Sequence, residues 1–187
     1  MIVGLQRLVF GQPPAIESIS GTVLTPPQQL AEFTLTGTDG TPVTLNDLRG
    51  SYTILSFGYT HCPDVCPLTL TEYKRVQREL GESADAVDFV FISVDGERDT
   101  PEFLGRYLDR FDAGFIGLTT DDDATMRAIA DDFNIYYEKR QVEGTASNYL
   151  VDHTASTFLI NPDGEVIVVY PFGTPPVNIA TDIAGLL

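Results

Sequence analysis

The sequence predicts an α/β fold: a central mixed sheet flanked by helices, preceded by an N-terminal extension and a hairpin. Three observations carry this reading. Apolar strand runs alternate with helical spacings from residue 33 onward, the pattern of a sheet covered by helices. The last two strand runs are joined by Asn161-Pro162-Asp163-Gly164, a tight turn that makes them antiparallel and the sheet mixed. The chain has 187 residues, of which 43% are hydrophobic and 20% charged; that suits one domain with a core large enough to need no disulfide staples.

Residues 1–31 read as the extension, with Pro13-Pro14 and Pro26-Pro27 and a short strand expected at 16–19. Residues 32–187 form the domain. Segments 33–35 and 43–45 flank Thr38-Asp39-Gly40, a hairpin signal. Residues 52–58 read as a buried strand. Pro67 suits the first turn of a helix that buries Leu70, Tyr73, Val76 and Leu80 and stops at Gly81. A second apolar strand follows at 87–94. Thr100-Pro101 combines an N-cap with a proline at the first helical position and opens a helix to about 111. A short strand is expected at 115–118 and a helix, capped by Thr120, through 133. Strands at 156–161 and 165–170 close the sheet. Thr174-Pro175 opens a last helix with Ile179, Ile183 and Leu187 on one face.

The net charge is −16, from 11 basic and 27 acidic residues. Nucleic acid and anionic membrane surfaces repel such a chain, so both are excluded as partners. The clusters Asp121-Asp122-Asp123 and Asp131-Asp132 fall in a helical stretch and read as a solvated face. No stretch approaches the ~20 apolar residues that span a bilayer. The opening ten residues are too short, carry Arg7, and lack the basic start and small-residue cleavage site of a signal peptide.

The chain has two cysteines, Cys62 and Cys66, between a strand and a helix. A disulfide scaffold is excluded by count. Positions i and i+4 on a helical turn place Cβ atoms roughly 5–6 Å apart, so the two thiols can converge on one metal or close a redox disulfide. A helix N-terminus favours thiolate, which both uses require. Inert burial explains poorly a spaced pair at the end of a strand, where ligands gather in open α/β sheets. Two sulfurs are too few for a closed zinc site; soft thiolate with imidazole suits Cu(I), and can also hold Cu(II). Of the two histidines, His61 adjoins Cys62, and the backbone would have to fold sharply for both to reach one ion. His153 lies just before the strand at 156–161, a point that a thioredoxin-like sheet sets beside the cysteine junction. The candidate metal ligands are therefore Cys62, Cys66 and His153. Asp152 is expected in support, either orienting the His153 loop or accepting a hydrogen bond near the site.

Two segments, Gly58-Tyr59-Thr60-His61-Cys62-Pro63-Asp64-Val65-Cys66-Pro67 and Tyr149-Leu150-Val151-Asp152-His153-Thr154-Ala155-Ser156-Thr157-Phe158-Leu159, resemble the signature motifs of the Sco/SenC family. Ser93-Val94-Asp95 with Glu97-Arg98-Asp99-Thr100-Pro101 resembles a third family segment. Gly96 departs from it, standing where proline is common, and is expected to loosen that loop. The resemblance covers roughly residues 33–187. It implies a thioredoxin-like fold that binds copper through Cys62, Cys66 and His153. It also implies a metallochaperone role in assembling the dinuclear copper centre of cytochrome c oxidase. The implied partners are the copper-centre subunit of the oxidase and a further copper chaperone. The implied location is extracytoplasmic, with tethering only through a membrane anchor that these residues do not contain.

Two other functions fit the same cysteines. One is a thiol–disulfide oxidoreductase that keeps the oxidase copper-site cysteines reduced; the other is a copper or redox sensor. Thioredoxin-like enzymes use C-x-x-C and a proline before the penultimate strand, whereas this chain spaces its cysteines one residue further and has Ala155 there. Both differences favour metal binding.

Overall fold

The computed structural model describes residues 17–141 and 149–187. The opening ten residues and Ile16 of the expected first strand lie outside them. Ten strands and four α-helices follow in the order β1 (Thr22–Gln29), β2 (Thr34–Gly37), β3 (Pro42–Thr44), β4 (Tyr52–Gly58), α1 (Val65–Leu80), β5 (Val87–Ser93), α2 (Pro101–Leu108), β6 (Ile116–Thr119), α3 (Asp123–Asp132), β7 (Tyr137–Gln141), β8 (Tyr149–His153), β9 (Thr157–Ile160), β10 (Glu165–Tyr170) and α4 (Pro176–Ala184).

Eight strands form one sheet, in the order β1-β10-β9-β4-β5-β6-β2-β3. β4, β5 and β6 are parallel, and the other pairings are antiparallel. The expected mixed sheet is present, flanked by helices. The central strands are nearly continuous apolar runs; Leu55, Val90, Ile92, Leu118 and Leu159 have no accessible surface, as expected of strands covered on both faces.

Register places the chemistry. Gly58 ends β4 opposite Ser93 at the end of β5, so the loops leaving both strands emerge at one edge. β9 runs the other way, pairing Thr157 with Ser56, so the residues entering β9 arrive at that same edge. The cysteine loop, the 94–100 loop and His153 are thereby gathered. Beneath them Phe57, Phe133 and Phe158 meet edge to face, with centroids 5.1–6.0 Å apart.

Among the described residues the first strand is not at 17–19. It runs from Thr22 to Gln29 and pairs with β10, so the later part of the extension belongs to the sheet. The Pro26-Pro27 pair hides this strand, because proline cannot donate to a ladder. An edge strand with an irregularity tolerates it, and the register does shift between Val23 and Gln28. Residues beside β1 are tied to helices. The buried Asp182 of α4 accepts from Ser18 Oγ and from the Ile19 amide, and Asp132 accepts from the Ala31 amide at 2.7 Å.

Other boundaries move for local reasons. α1 begins at Val65, which brings Cys66 into its first turn. α2 stops at Leu108, short of Phe111. α3 is capped by Asp122, whose side chain accepts from the Ala124 amide; Thr120 instead accepts from the Asp122 amide one step earlier. α4 starts at Pro176, one residue beyond the expected pair. The hairpin of β7 and β8 is absent from the sequence reading altogether. Its first strand, Tyr-Glu-Lys-Arg-Gln, is mostly exposed and charged, so it carries no apolar alternation. These two strands form a separate sheet, with Tyr137 opposite His153.

Gly96 does not loosen its loop. A Cβ built there would lie 1.8 Å from the Thr120 carbonyl oxygen, so glycine lets the loop after β5 pack on the backbone after β6. The obstacle is main chain and cannot rotate away. Gly96→Ala should therefore destabilise the fold by about 1–3 kcal/mol, as overpacking does. A lowered urea midpoint at unchanged slope would show it; an unchanged midpoint would contradict the close approach.

Candidate metal centre

The cysteines sit at the end of β4 and in the first turn of α1. Gly58 makes this possible: a Cβ there would meet Cys66 Sγ at 2.8 Å and the Phe91 ring at 2.6 Å. The turn from Tyr59 closes with the Cys62 amide donating to the Tyr59 carbonyl at 3.3 Å. The Cys66 amide, at the open end of α1, donates to Cys62 Sγ at 3.4 Å. Cys66 is buried, and Cys62 is part-exposed.

His153 ends β8 and meets this pair from the other side. Its Nε2 lies 3.4 Å from Cys66 Sγ, and its Nδ1 lies 3.0 Å from the Thr154 carbonyl oxygen. A carbonyl only accepts, so Nδ1 carries the proton and Nε2 turns its lone pair toward the sulfurs. The ring stands edge-on to Tyr59, centroids 5.8 Å apart at 86°. Among the described residues, Cys62, Cys66 and His153 are the one group of potential ligands that converges, with donor atoms all within 4.8 Å of one another. That is close to the separation required by one ion with bonds of about 2.0–2.3 Å to nitrogen and sulfur. The donor set of two sulfurs and an imidazole nitrogen suits a soft ion.

The two thiols are not equivalent. The Cys66 S–H directed at Cys62, aided by backbone amides, holds Cys62 far below the usual thiol range. That same bond, and then burial, pushes Cys66 up. The pair is thus polarised, with Cys62 biased toward thiolate and the buried Cys66 toward thiol.

His61 is outside the ligand group. It stacks on Phe103, centroids 5.5 Å apart at 8°, and its Nδ1 lies 3.0 Å from Thr60 Oγ1. Asp152, expected in support, does not receive the imidazole N–H, which goes to Thr154. Strand alternation turns Asp152 to the opposite face from His153, where it is exposed and accepts two bonds from Arg140, at 2.9 and 3.3 Å. Its contribution is to fasten β8 to β7.

Sequence reasoning missed the anchors beneath the site. Asp99, with no accessible surface, accepts from the Thr60 amide at 2.8 Å, the Thr60 hydroxyl at 2.5 Å and the Ser93 hydroxyl at 2.6 Å. It thereby fixes the loop that carries Cys62. The signal was present: three acidic residues, Asp95, Glu97 and Asp99, in a seven-residue strand-to-helix connection directly after an apolar strand.

The SCO1/SenC family model matches residues 23–187. The chain belongs to the SCO1/SenC family. It is 39% identical over 140 residues to protein SCO1 homolog 1, mitochondrial, of Arabidopsis thaliana, covering 74% of this chain and 41% of that protein. It is 30% identical over 154 residues to a SCO2-like protein of Rickettsia felis, covering 82% of this chain and 75% of that one. The solved structure of Bradyrhizobium japonicum ScoI with copper bound superposes with a TM-score of 0.76 at 38% identity, covering 84% of this chain and 99% of that one. The thioredoxin-like architecture expected of a SCO1/SenC protein is the one found.

Exposure and charge single out one thiol for reaction. In reduced protein, iodoacetamide should label Cys62 and spare Cys66. The rate should stay nearly level from about pH 8 to about pH 6, where an ordinary thiol of pKa about 8.5 loses most of its thiolate. Peptide mass mapping reads the site; labelling at Cys66 first would reverse the assignment. His61→Ala should leave copper stoichiometry and the thiolate-to-copper band as in the parent.

Proposed function

We propose that this protein holds one copper ion between Cys62, Cys66 and His153, and serves as a metallochaperone in assembly of the dinuclear copper centre of cytochrome c oxidase. The observation that carries the reading is the convergence of two thiols and an imidazole lone pair from two segments far apart in sequence. Family membership supports the oxidase role, and the copper-bound ScoI structure supports the metal. Bound copper would supply the cargo for transfer; the chain's own residues select it and release it. The buried Cys66 and the edge-on Tyr59 keep water from one side, while Cys62 leaves the other open to an incoming ligand. The receiving partner is then the copper-centre subunit of the oxidase, with a further copper chaperone as donor. The proposed site of action is extracytoplasmic. No helix among the described residues is long and apolar enough to cross a membrane.

The asymmetry of the thiols favours a second reading, reduction of the oxidase copper-site cysteines. Here the Cys62 thiolate attacks a disulfide of the partner and displaces one partner thiolate, forming a mixed disulfide. Cys66 then loses its proton and resolves it, leaving a partner dithiol and a Cys62–Cys66 disulfide.

His153 separates the two. Two thiolates alone can hold Cu(I), whereas Cu(II) is harder and wants nitrogen. Reduced protein should bind about one copper per chain, and the Cys62–Cys66 disulfide form none. His153→Ala should retain Cu(I) at lower affinity, lose a stable Cu(II) spectrum and still close the disulfide. In a host lacking its own copy, it should fail to restore oxidase copper loading. Full restoration by that variant would make the reductase reading correct, and a parent-like Cu(II) spectrum would mean the third ligand is another residue.

A further inference from the structure

We propose that Tyr149, Arg98 and Asp95 form a positioning cluster for His153, and that this cluster sets how strongly the protein favours three-ligand Cu(II) over two-thiolate Cu(I). The inference rests on the copper reading above. β7 and β8 share no ladder with the main sheet, and an isolated two-stranded hairpin is marginally stable in water. The place of His153 therefore depends on what the hairpin docks against. Tyr149 and His153 lie four residues apart on β8, hence on one face, with the buried Val151 between them.

Tyr149 is where the docking concentrates. Its hydroxyl donates to Asp95 Oδ1 at 2.8 Å. Arg98 Nη1 donates to the Tyr149 carbonyl oxygen at 3.1 Å, and the guanidinium lies 3.6 Å from the centroid of the Tyr149 ring. Arg98 also pairs with Asp95 and lies 5.7 Å from the centroid of Tyr59, the ring that stands edge-on to His153. From β7, Lys139 pairs with Glu97 at 2.7 Å. All of these partners belong to the loop after β5, whose Asp99 grips the cysteine loop. One loop thus mounts both halves of the site, through Asp99 toward the thiols and through Asp95 and Arg98 toward the imidazole. The Asp99 half should matter for either oxidation state. The Asp95–Arg98 half should matter for the state that needs nitrogen.

Tyr149→Phe keeps the ring on Arg98 and removes the hydroxyl bond to Asp95; Arg98→Lys keeps the charge beside Asp95 and removes the planar fork. Affinities for Cu(I) and Cu(II) should be titrated for the parent and both variants, alongside apo thermal unfolding. Each variant should bind Cu(II) about tenfold more weakly, within the range seen when groups supporting a ligand are removed, and Cu(I) within about twofold of the parent. In a His153→Ala background, Tyr149→Phe should have no further effect on copper binding, because residues that act through one another are not additive. Equal losses for both ions, tracking a fall in thermal stability, would mean a general structural role and would overturn the proposal. So would unchanged Cu(II) affinity in both variants. A parent that binds neither ion would instead remove the copper reading beneath it.

Discussion

Asp95 and Asp99 lie in the interior four residues apart, with no accessible surface on either side chain. Taking a carboxylate out of water costs several kcal/mol even after relaxation, so such a group persists only where donors surround it. Those donors are Thr60, Ser93, Arg98 and Tyr149, supplied by the cysteine loop, the end of β5, the loop itself and the histidine hairpin. Demand for donors around two buried charges is thus what forces three segments, distant in sequence, to a common point. The site follows that constraint: three potential ligands sit within 4.8 Å of one another, with the cysteine loop and the histidine hairpin both fastened to one short loop.

This arrangement explains why part of the molecule is legible in the sequence and part is not. β4, at Tyr52–Gly58, and β10, at Glu165–Tyr170, fall on their expected bounds because each is an apolar run closed by glycine, proline or a turn. Cys62, Cys66 and His153 are legible because their residue types are rare here and their positions flank strands. The β7–β8 hairpin is not legible. Its stability comes from ion pairs and an arginine–tyrosine stack with a distant loop, and these leave no periodic trace. β1 is obscured by its prolines, which speak against a strand unless the strand is known to lie at an edge. Gly96 is misread for a related reason: its lack of a side chain serves contact with Thr120, a neighbour that only the sheet order brings close.

The site also shows how one pair of sulfurs can be given two characters by position alone. Cys62 stands at the open end of a helix, where an amide of the first turn points at it and the partial positive charge favours thiolate. Cys66, within that turn, is closed in by Gly58 and the core. A metal that draws both into coordination must displace the proton held between them. Affinity for the ion is therefore linked to proton release, and the same proton governs closure of the disulfide.

The two ends of the eight-stranded sheet carry a shared feature. β1 has Pro26 and Pro27 where its register with β10 breaks, and β3, three residues long, begins at Pro42. An open strand edge offers a row of unpaired amides and carbonyls on which another chain can assemble. Prolines at both margins delete donors from those rows, and a net charge of −16 keeps copies apart. Pairing of copies through either margin of the sheet is thereby disfavoured, and the face that carries Cys62 lies away from both margins, at the ends of the central strands.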